Sequence, residues 1–279
     1  MTPADFNARV FTQVLNMDRS TARLATIDAY LKTARVDYAR FSAIDGSKLD
    51  MSEPELKSMF DLDAWVRGHH RNPTKADIGC YLSHYRALEA FVAQDKPFGL
   101  IFEDDAAIPA DFIERVSYGV EDADAWDILK LHVRHPGPLV LRHAYRDDVR
   151  LCSFLVRHAG GTAYIVNRAA AVKMLKHMKP ARRMIDWTYD EGHRMNLRVR
   201  TLSPMIIGLQ PVPTTRETGM GRKRTWLERQ TDRPILPRWS LPFRRLGDDG
   251  YRLLFNLFGD GGLQAMLFGP DRSKPPHAA

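Results

Sequence analysis

Apolar and polar positions change their period several times along the chain, and each change marks an element. Val10-Phe11-Thr12-Gln13-Val14-Leu15 is a short β-favouring run closed by the polar segment Asn16 to Ser20. From Ala22 to Ala34, Leu24, Ile27 and Leu31 recur at spacings of three and four, which predicts a helix. Val36 to Phe41 alternates and runs into Ala43-Ile44-Asp45-Gly46, a strand entering a turn. Strand, helix, strand at these lengths is a βαβ unit with a right-handed crossover. Asn16, Arg19, Arg23 and Asp45 then fall at or near the carboxyl edge of the sheet. Arg19 and Arg23 suit either a diphosphate or a solvated helix face.

Leu49 to Asn72 lacks a period and reads as irregular and polar, with His69 and His70 as surface residues. Thr74-Lys75-Ala76-Asp77 has the form of a capping box and opens a helix through about Gln94. Ile78, Tyr81, Leu82, Tyr85, Leu88 and Phe91 form its apolar face, while Gly79, Ser83 and Ala87 make a small-residue stripe four apart. Such a stripe admits another backbone or a flat ligand, so Ser83 and His84 either line a pocket or pack tightly on a strand.

The apolar run Gly99-Leu100-Ile101-Phe102 then delivers Glu103-Asp104-Asp105. Charged groups cannot follow a buried strand into a core unless something neutralises them, so the three acids belong at its carboxyl end. That edge is where ligands bind in open α/β sheets. Side chains two apart in an extended segment point the same way, so Glu103 and Asp105 share a face suited to a divalent cation, with Asp104 turned away. An acidic surface turn is the plainer alternative.

A helix from Pro109 to about Val120 follows, then strands at Trp126–Leu131, Leu151–Val156 and, after Gly160-Gly161, Thr162–Asn167. A helix from Arg168 ends before Pro180. In Met184-Ile185-Asp186-Trp187-Thr188-Tyr189-Asp190-Glu191, three acids stand beside two aromatics. Aromatic faces pack on sugar rings and a carboxylate accepts a hydroxyl proton, so the stretch suits a saccharide acceptor, or else simple surface. Past Pro213 the period fails. The chain divides into an α/β unit over residues 1–235 and a basic, aromatic extension over 236–279.

Composition narrows the function. Of 279 residues, 44% are apolar and 27% charged, the balance of an ordinary globular protein. The net charge of +7 is concentrated: nine Lys or Arg against three acids fall between Arg216 and Arg245, a surplus of six. Basicity so confined argues against a nucleic-acid-binding surface. Followed by the apolar stretch Tyr251 to Phe268, it fits an anionic membrane surface, a cover over the core or a dimer contact. No apolar run is long enough to span a bilayer and Met1 to Asp5 lacks signal-peptide character, so the expected location is cytoplasmic, peripheral to a membrane at most. Cys80 and Cys152 read as reduced core thiols.

In order and spacing, Leu15-Asn16-Met17-Asp18-Arg19-Ser20 with Arg23, Phe41 to Gly46, Ile78 to His84, Ile101 to Asp105, Gly161 to Tyr164, and Asp186 resemble glycosyltransferase family 25. That family comprises bacterial lipooligosaccharide transferases and their collagen-modifying relatives, and the resemblance covers about residues 9–215. It implies a GT-A-like, Rossmann-type α/β/α sandwich with a mostly parallel central sheet. It further implies transfer, with inversion, of a sugar from a nucleotide donor, commonly UDP-galactose, to a saccharide such as lipopolysaccharide. Glu103, Asp104 and Asp105 take the place of its metal-binding motif for Mn²⁺ or Mg²⁺. On this reading Arg19 and Arg23 face the diphosphate, Ser83, His84, Thr162 and Tyr164 position the donor sugar, and Asp186 is the base, with Asp190 and Glu191 behind it. Met17, where a leucine is usual, and Met184-Ile185, where a proline-containing segment is usual, depart from the pattern. A metal-dependent phosphohydrolase and a non-catalytic carbohydrate-binding protein are the alternatives.

Overall fold

A computed structural model of the chain describes residues 1–211 and 240–258, apart from His70, Pro136 and Asp147. The basic run Arg222-Lys223-Arg224, Arg229, Arg233 and Arg238 lies outside the described residues, as does everything after Phe258. Thr2 and Asp5 cap each other's backbone and Pro3 occupies the first turn, which starts helix α1 (Pro3–Arg9) where the periodic reading had nothing. Next come β1 (Val10–Asn16), α2 (Thr21–Thr33) and β2 (Ala39–Ser42), the anticipated βαβ unit. The stretch read as irregular holds two short helices, α3 (Pro54–Met59) and α4 (Leu62–His69). Too short to repeat an apolar period, they reveal themselves only through contacts, with Trp65 fully buried between them and the core.

Thr74 and Asp77 form the expected capping box, and α5 (Lys75–Val92) leads into β3 (Phe98–Glu103) and the two-residue β4 (Ala106–Ala107). After α6 (Phe112–Glu121) come β5 (Ile128–Lys130), β6 (Leu139–Ala144), β7 (Arg150–Phe154) and β8 (Ala163–Asn167). Of these, β6 was not foreseen. Helices α7 (Arg168–His177), α8 (Ile185–Tyr189) and α9 (Gly192–Met195) precede β9 (Val199–Ser203) and β10 (Gly208–Leu209), and α10 (Ser240–Phe258) ends the described chain. No described helix is long and apolar enough to cross a membrane.

Eight strands form the central sheet in the order β2-β1-β3-β8-β5-β9-β7-β6. Only β8 and β7 run against the rest, so the sheet is mostly parallel. One apolar cluster covers each face, with α2 and α6 on one side and α5 and α7 on the other. This is the α/β/α sandwich of a GT-A-like fold. Along β3 the alternation is regular: Leu100 and Phe102 enter the first cluster, Ile101 the second.

The small-residue stripe of α5 is used by backbone. A Cβ on Gly79 would stand 2.5 Å from the Ile44 carbonyl oxygen, and one on Gly46 only 1.7 Å from that of Lys75. Ser83 continues the seam, accepting the Ile44 N–H at 2.8 Å and donating to the Gly79 carbonyl at 2.7 Å. The loop after β2 is thereby pressed against α5, backbone to backbone at Gly46 and Gly79.

Helix α10 docks through polar groups. Arg252, with a side chain 3% exposed, lies 3.4 Å from Asp190, and Asn256 donates to the Phe154 carbonyl at 2.7 Å. Lys130 and His158 share the same buried neighbourhood: Asp190 accepts the His158 N–H at 3.0 Å and stands 2.7 Å from its Nε2. Burial pushes the His158 imidazole down to about 4 and pushes Asp190 up, but His158, Lys130 and Arg252 outweigh burial and keep Asp190 below the ordinary carboxylate range. Tyr251, Leu254 and Phe258 point outward from the same helix.

Two substitutions test this account. Gly79→Ala forces backbone against backbone and is expected to cost about 1–3 kcal/mol, read as a lower denaturation midpoint at unchanged slope. Arg252→Met removes a buried cation from Asp190 while Lys130 remains, with an expected cost of about 3 kcal/mol in the same measurement.

Candidate active site

The alternation that places Ile101 against α5 and Phe102 against α2 continues past the end of β3, sending successive acids to opposite sides. Asp104 turns toward α2, where it meets Arg23 Nη1 at 3.0 Å and accepts from Asn16 Nδ2 at 2.8 Å. Asn16 in turn donates to the Ser20 carbonyl at 3.0 Å and accepts from Arg40 Nε at 3.1 Å, joining the ends of β1 and β2 to the start of α2. Both are buried, so Asn16 and Asp104 hold the edge of the sheet together. That engagement leaves Asp104 poorly placed to hold a metal and Asn16 poorly placed to meet a donor.

Glu103 turns the other way and accepts from His84 Nε2 at 3.1 Å. A carboxylate only accepts, so Nε2 carries a proton, and Nδ1 stands 3.3 Å from the Tyr164 hydroxyl, within hydrogen-bond distance. Tyr164 and Tyr189 hydroxyls are 2.8 Å apart, and burial, the largest cause in each case, raises both far above the ordinary phenol range and keeps them protonated. A hydrogen-bonded line thus runs from Glu103 to α8. Tyr164 is fully buried behind His84 and is not among the residues that line the cleft, and its hydroxyl supports His84 from behind. Thr162 is buried too, and its carbonyl accepts the Glu103 N–H at 2.8 Å.

Asp105 differs from its neighbours. Its Oδ1 is buried without a hydrogen-bond partner among the described residues, and burial, then Glu103, then Asp104, push its carboxyl up to about 6 against the pull of Arg23. An orphaned anion crowded by two others is a fitting place for a divalent cation, with Glu103 and Asp105 as its ligands. The turn that carries it is clamped by Gln210, whose N–H reaches the Asp105 carbonyl at 2.8 Å and whose Nε2 reaches those of Asp104 and Ala106 at 3.2 and 3.0 Å.

All three acids line one cleft of about 420 Å³. Arg19, Arg23, Lys75 and Arg134 line it as well, so three acids and four cations share one cleft. Arg19 pairs with Asp45, and Asp45 caps the turn after it by accepting the Ser47 N–H at 3.0 Å. Asp45 thus fixes that turn. Ser83 and His84 reach the cleft from α5, but Ser83 is committed to the seam with Ile44. Lys75 and Arg134 were missed in the sequence, where a capping-box lysine and an arginine in a loop carry no signal of their own.

The acids of α8 part company. Asp190 is held in the buried cluster with Arg252, while Glu191 is gripped by His177 at 2.9 Å, Arg183 at 3.0 Å and Arg194 at 3.3 Å. These pairs leave neither carboxylate placed to take a proton from a substrate. Asp186, half-buried in the first turn of α8, is not among the residues lining the 420 Å³ cleft. Tyr189, read as a stacking surface, is buried, and Trp187 lies between His69 at 4.4 Å and the Arg157 guanidinium at 4.6 Å. His69 is not a surface residue. Its Nε2 accepts the Met184 N–H at 3.0 Å and so sets the start of α8, and burial, helped by Arg71, pushes it down to about 4. His70 lies outside the described residues.

Comparison with known proteins bears on this arrangement. A glycosyltransferase 25 family member of Anopheles gambiae is 30% identical over 122 residues, 42% of this chain and 20% of its own length. Procollagen galactosyltransferase 1 of Danio rerio is 28% identical over 93 residues, 32% of this chain and 15% of its own. The human protein named inactive glycosyltransferase 25 family member 3 is 36% identical over 72 residues, 24% of this chain and 12% of its own. The chain therefore matches about a fifth or less of the length of these relatives. The family model for glycosyltransferase family 25 (LPS biosynthesis protein) matches residues 11–190, which take in β1, the acidic turn after β3, and α8. With that match across more than half its length, this chain belongs to glycosyltransferase family 25.

Proposed function

We propose that the cleft binds a nucleotide-diphosphate sugar, UDP-galactose first among them, and that the chain transfers the sugar with inversion to a saccharide of the lipopolysaccharide or lipooligosaccharide kind. One observation carries the reading: Glu103 and the orphaned Asp105 share a cleft with Arg19, Arg23, Lys75 and Arg134. Paired carboxylates suit Mn²⁺ or Mg²⁺, and clustered guanidinium and ammonium groups suit the phosphates it would accompany. Bound there, the cation acts as a Lewis acid toward the departing diphosphate.

The chain's own residues supply the rest. Asp104 neutralises part of the Arg23 charge and fixes its direction, so the guanidinium is preorganised before the nucleotide arrives. Glu103 is held at its far side by His84, and through Tyr164 and Tyr189 its position is tied to α8. Inversion calls for one base on the face of the sugar opposite the leaving group. Asp186 takes that role in this reading because Asp190 and Glu191 are sequestered; it stands outside the lining of the 420 Å³ cleft, so the acceptor has to span from it to the donor. One relative, the human glycosyltransferase 25 family member 3, is named inactive, so turnover by this chain is a property to be measured directly.

Asp105→Asn is expected to lower Mn²⁺ affinity in calorimetry and to reduce UDP-sugar turnover by about two orders of magnitude or more, while the folded state gains stability. UDP release that persists undiminished after chelation removes the role given to Glu103 and Asp105. Asp186→Asn is expected to lower the transfer rate by about 10²–10⁴-fold with donor affinity unchanged, measured by product formation beside donor titration. Full transfer by that variant hands the base to another residue.

A further inference from the structure

We infer that Cys80, His84 and Glu103 form a second, soft cation site in the cleft, selective for a thiophilic divalent ion such as Zn²⁺ and competing with the oxygen-ligated ion. One ligand atom from each of Cys80, His84 and Glu103 lies within 4.8 Å of the others. Two of the separations are 3.1 Å for His84 Nε2 to Glu103 Oε1 and 4.0 Å for Cys80 Sγ to Glu103 Oε1. A tetrahedral zinc ion with ordinary bond lengths spaces its ligand atoms roughly 3.3–3.6 Å apart, so shifts of up to about one ångström complete the set.

The fold prepares this geometry. Cys80 and His84 are one helical turn apart on α5, and β3 brings Glu103 to the same face. The far nitrogen of His84 already has a partner in the Tyr164 hydroxyl, which is the outer-shell support that metal-bound histidines use. Three protein ligands leave a fourth position, and all three residues line the cleft, so an ion has a way in. On binding, the thiol proton passes to solvent. The imidazole proton moves from Nε2 to Nδ1, directed at the Tyr164 oxygen, and no redox step is involved.

The selectivity is chemical. Thiolate and imidazole favour zinc over manganese or magnesium, whereas Glu103 with Asp105 offers only oxygen to harder ions. Glu103 belongs to both sets, so a cation on its Cys80 side draws on the same carboxylate as a cation on its Asp105 side. Zinc held by Cys80 therefore withdraws a ligand from the donor's cation and inhibits transfer in competition with Mn²⁺. The binding half of this inference stands on the coordinates alone, and the inhibitory half rests on the proposed function.

The test uses the full chain stripped with chelator. Addition of Co²⁺ is expected to give a thiolate-to-cobalt charge-transfer band that Zn²⁺ abolishes, and Cys80→Ser to remove the band and weaken zinc binding at least about tenfold. Cys152 is the chain's other thiol, buried and pushed up to about 11 chiefly by burial, so a band lost with Cys80 belongs to Cys80. A thermal melt of metal-free Cys80→Ser and Cys80→Ala beside wild type identifies loss of folding, and whichever variant melts as wild type does is used. Absence of the band in wild type, or its survival in the variant, overturns the site. If the band appears but wild type with Mn²⁺ turns over no UDP-sugar, the site stands and the transferase reading falls. If turnover depends on Mn²⁺ and zinc bound through Cys80 leaves it unaffected, the inhibitory half is wrong.

Discussion

The contact of Asp104 with Arg23 and Asn16 governs how the edge of this sheet is built. Three adjacent carboxylates at the end of a buried strand repel one another, and the strand can end there only if one of them is neutralised. Arg23 supplies the charge and Asn16 the second bond, and through Ser20 and Arg40 the same asparagine gathers the ends of β1 and β2 and the start of α2. With Asp104 satisfied, Glu103 and Asp105 are left facing the cleft with unequal supports. Glu103 has a histidine behind it. Asp105 has a buried oxygen with no partner among the described residues, so the two acids enter the cleft on different terms.

Much of this was legible in residue order. The β-favouring run of β1, the three-four spacing of α2, the Thr74–Asp77 box and the apolar approach to Glu103 each specify an element by local physics alone, and each was found where expected. The division of labour among the three acids followed from strand alternation. What could not be read was anything decided by a distant partner. Asp190 and Glu191 look like Asp186 in sequence, and their pairing with Arg252, His158, His177, Arg183 and Arg194 is seen only once the chain is folded. Ser83 and Tyr164 look like ligands for a sugar until the seam with Ile44 and the stack behind His84 are seen. The antiparallel β8, inserted between two strands of opposite direction, follows from long-range pairing that no window of sequence contains.

Small residues contribute as much to the cleft as charged ones. Gly46 and Gly79 bring a loop and a helix to backbone contact, and Ser83 fastens them, so one wall is fixed by atoms that cannot move apart without breaking hydrogen bonds. That wall is thus shaped by what Gly46 and Gly79 lack.

The docking of α10 redraws the boundary of the unit that must fold together. The family match stops at residue 190, yet a cation that compensates Asp190 arrives from position 252, sixty-two residues onward. A fragment trimmed to the recognisable segment would carry an under-neutralised carboxylate in its interior, one residue from the tyrosine that anchors the relay to Glu103. The working definition of this protein is therefore electrostatic, and it extends to wherever the last buried charge finds its counterpart.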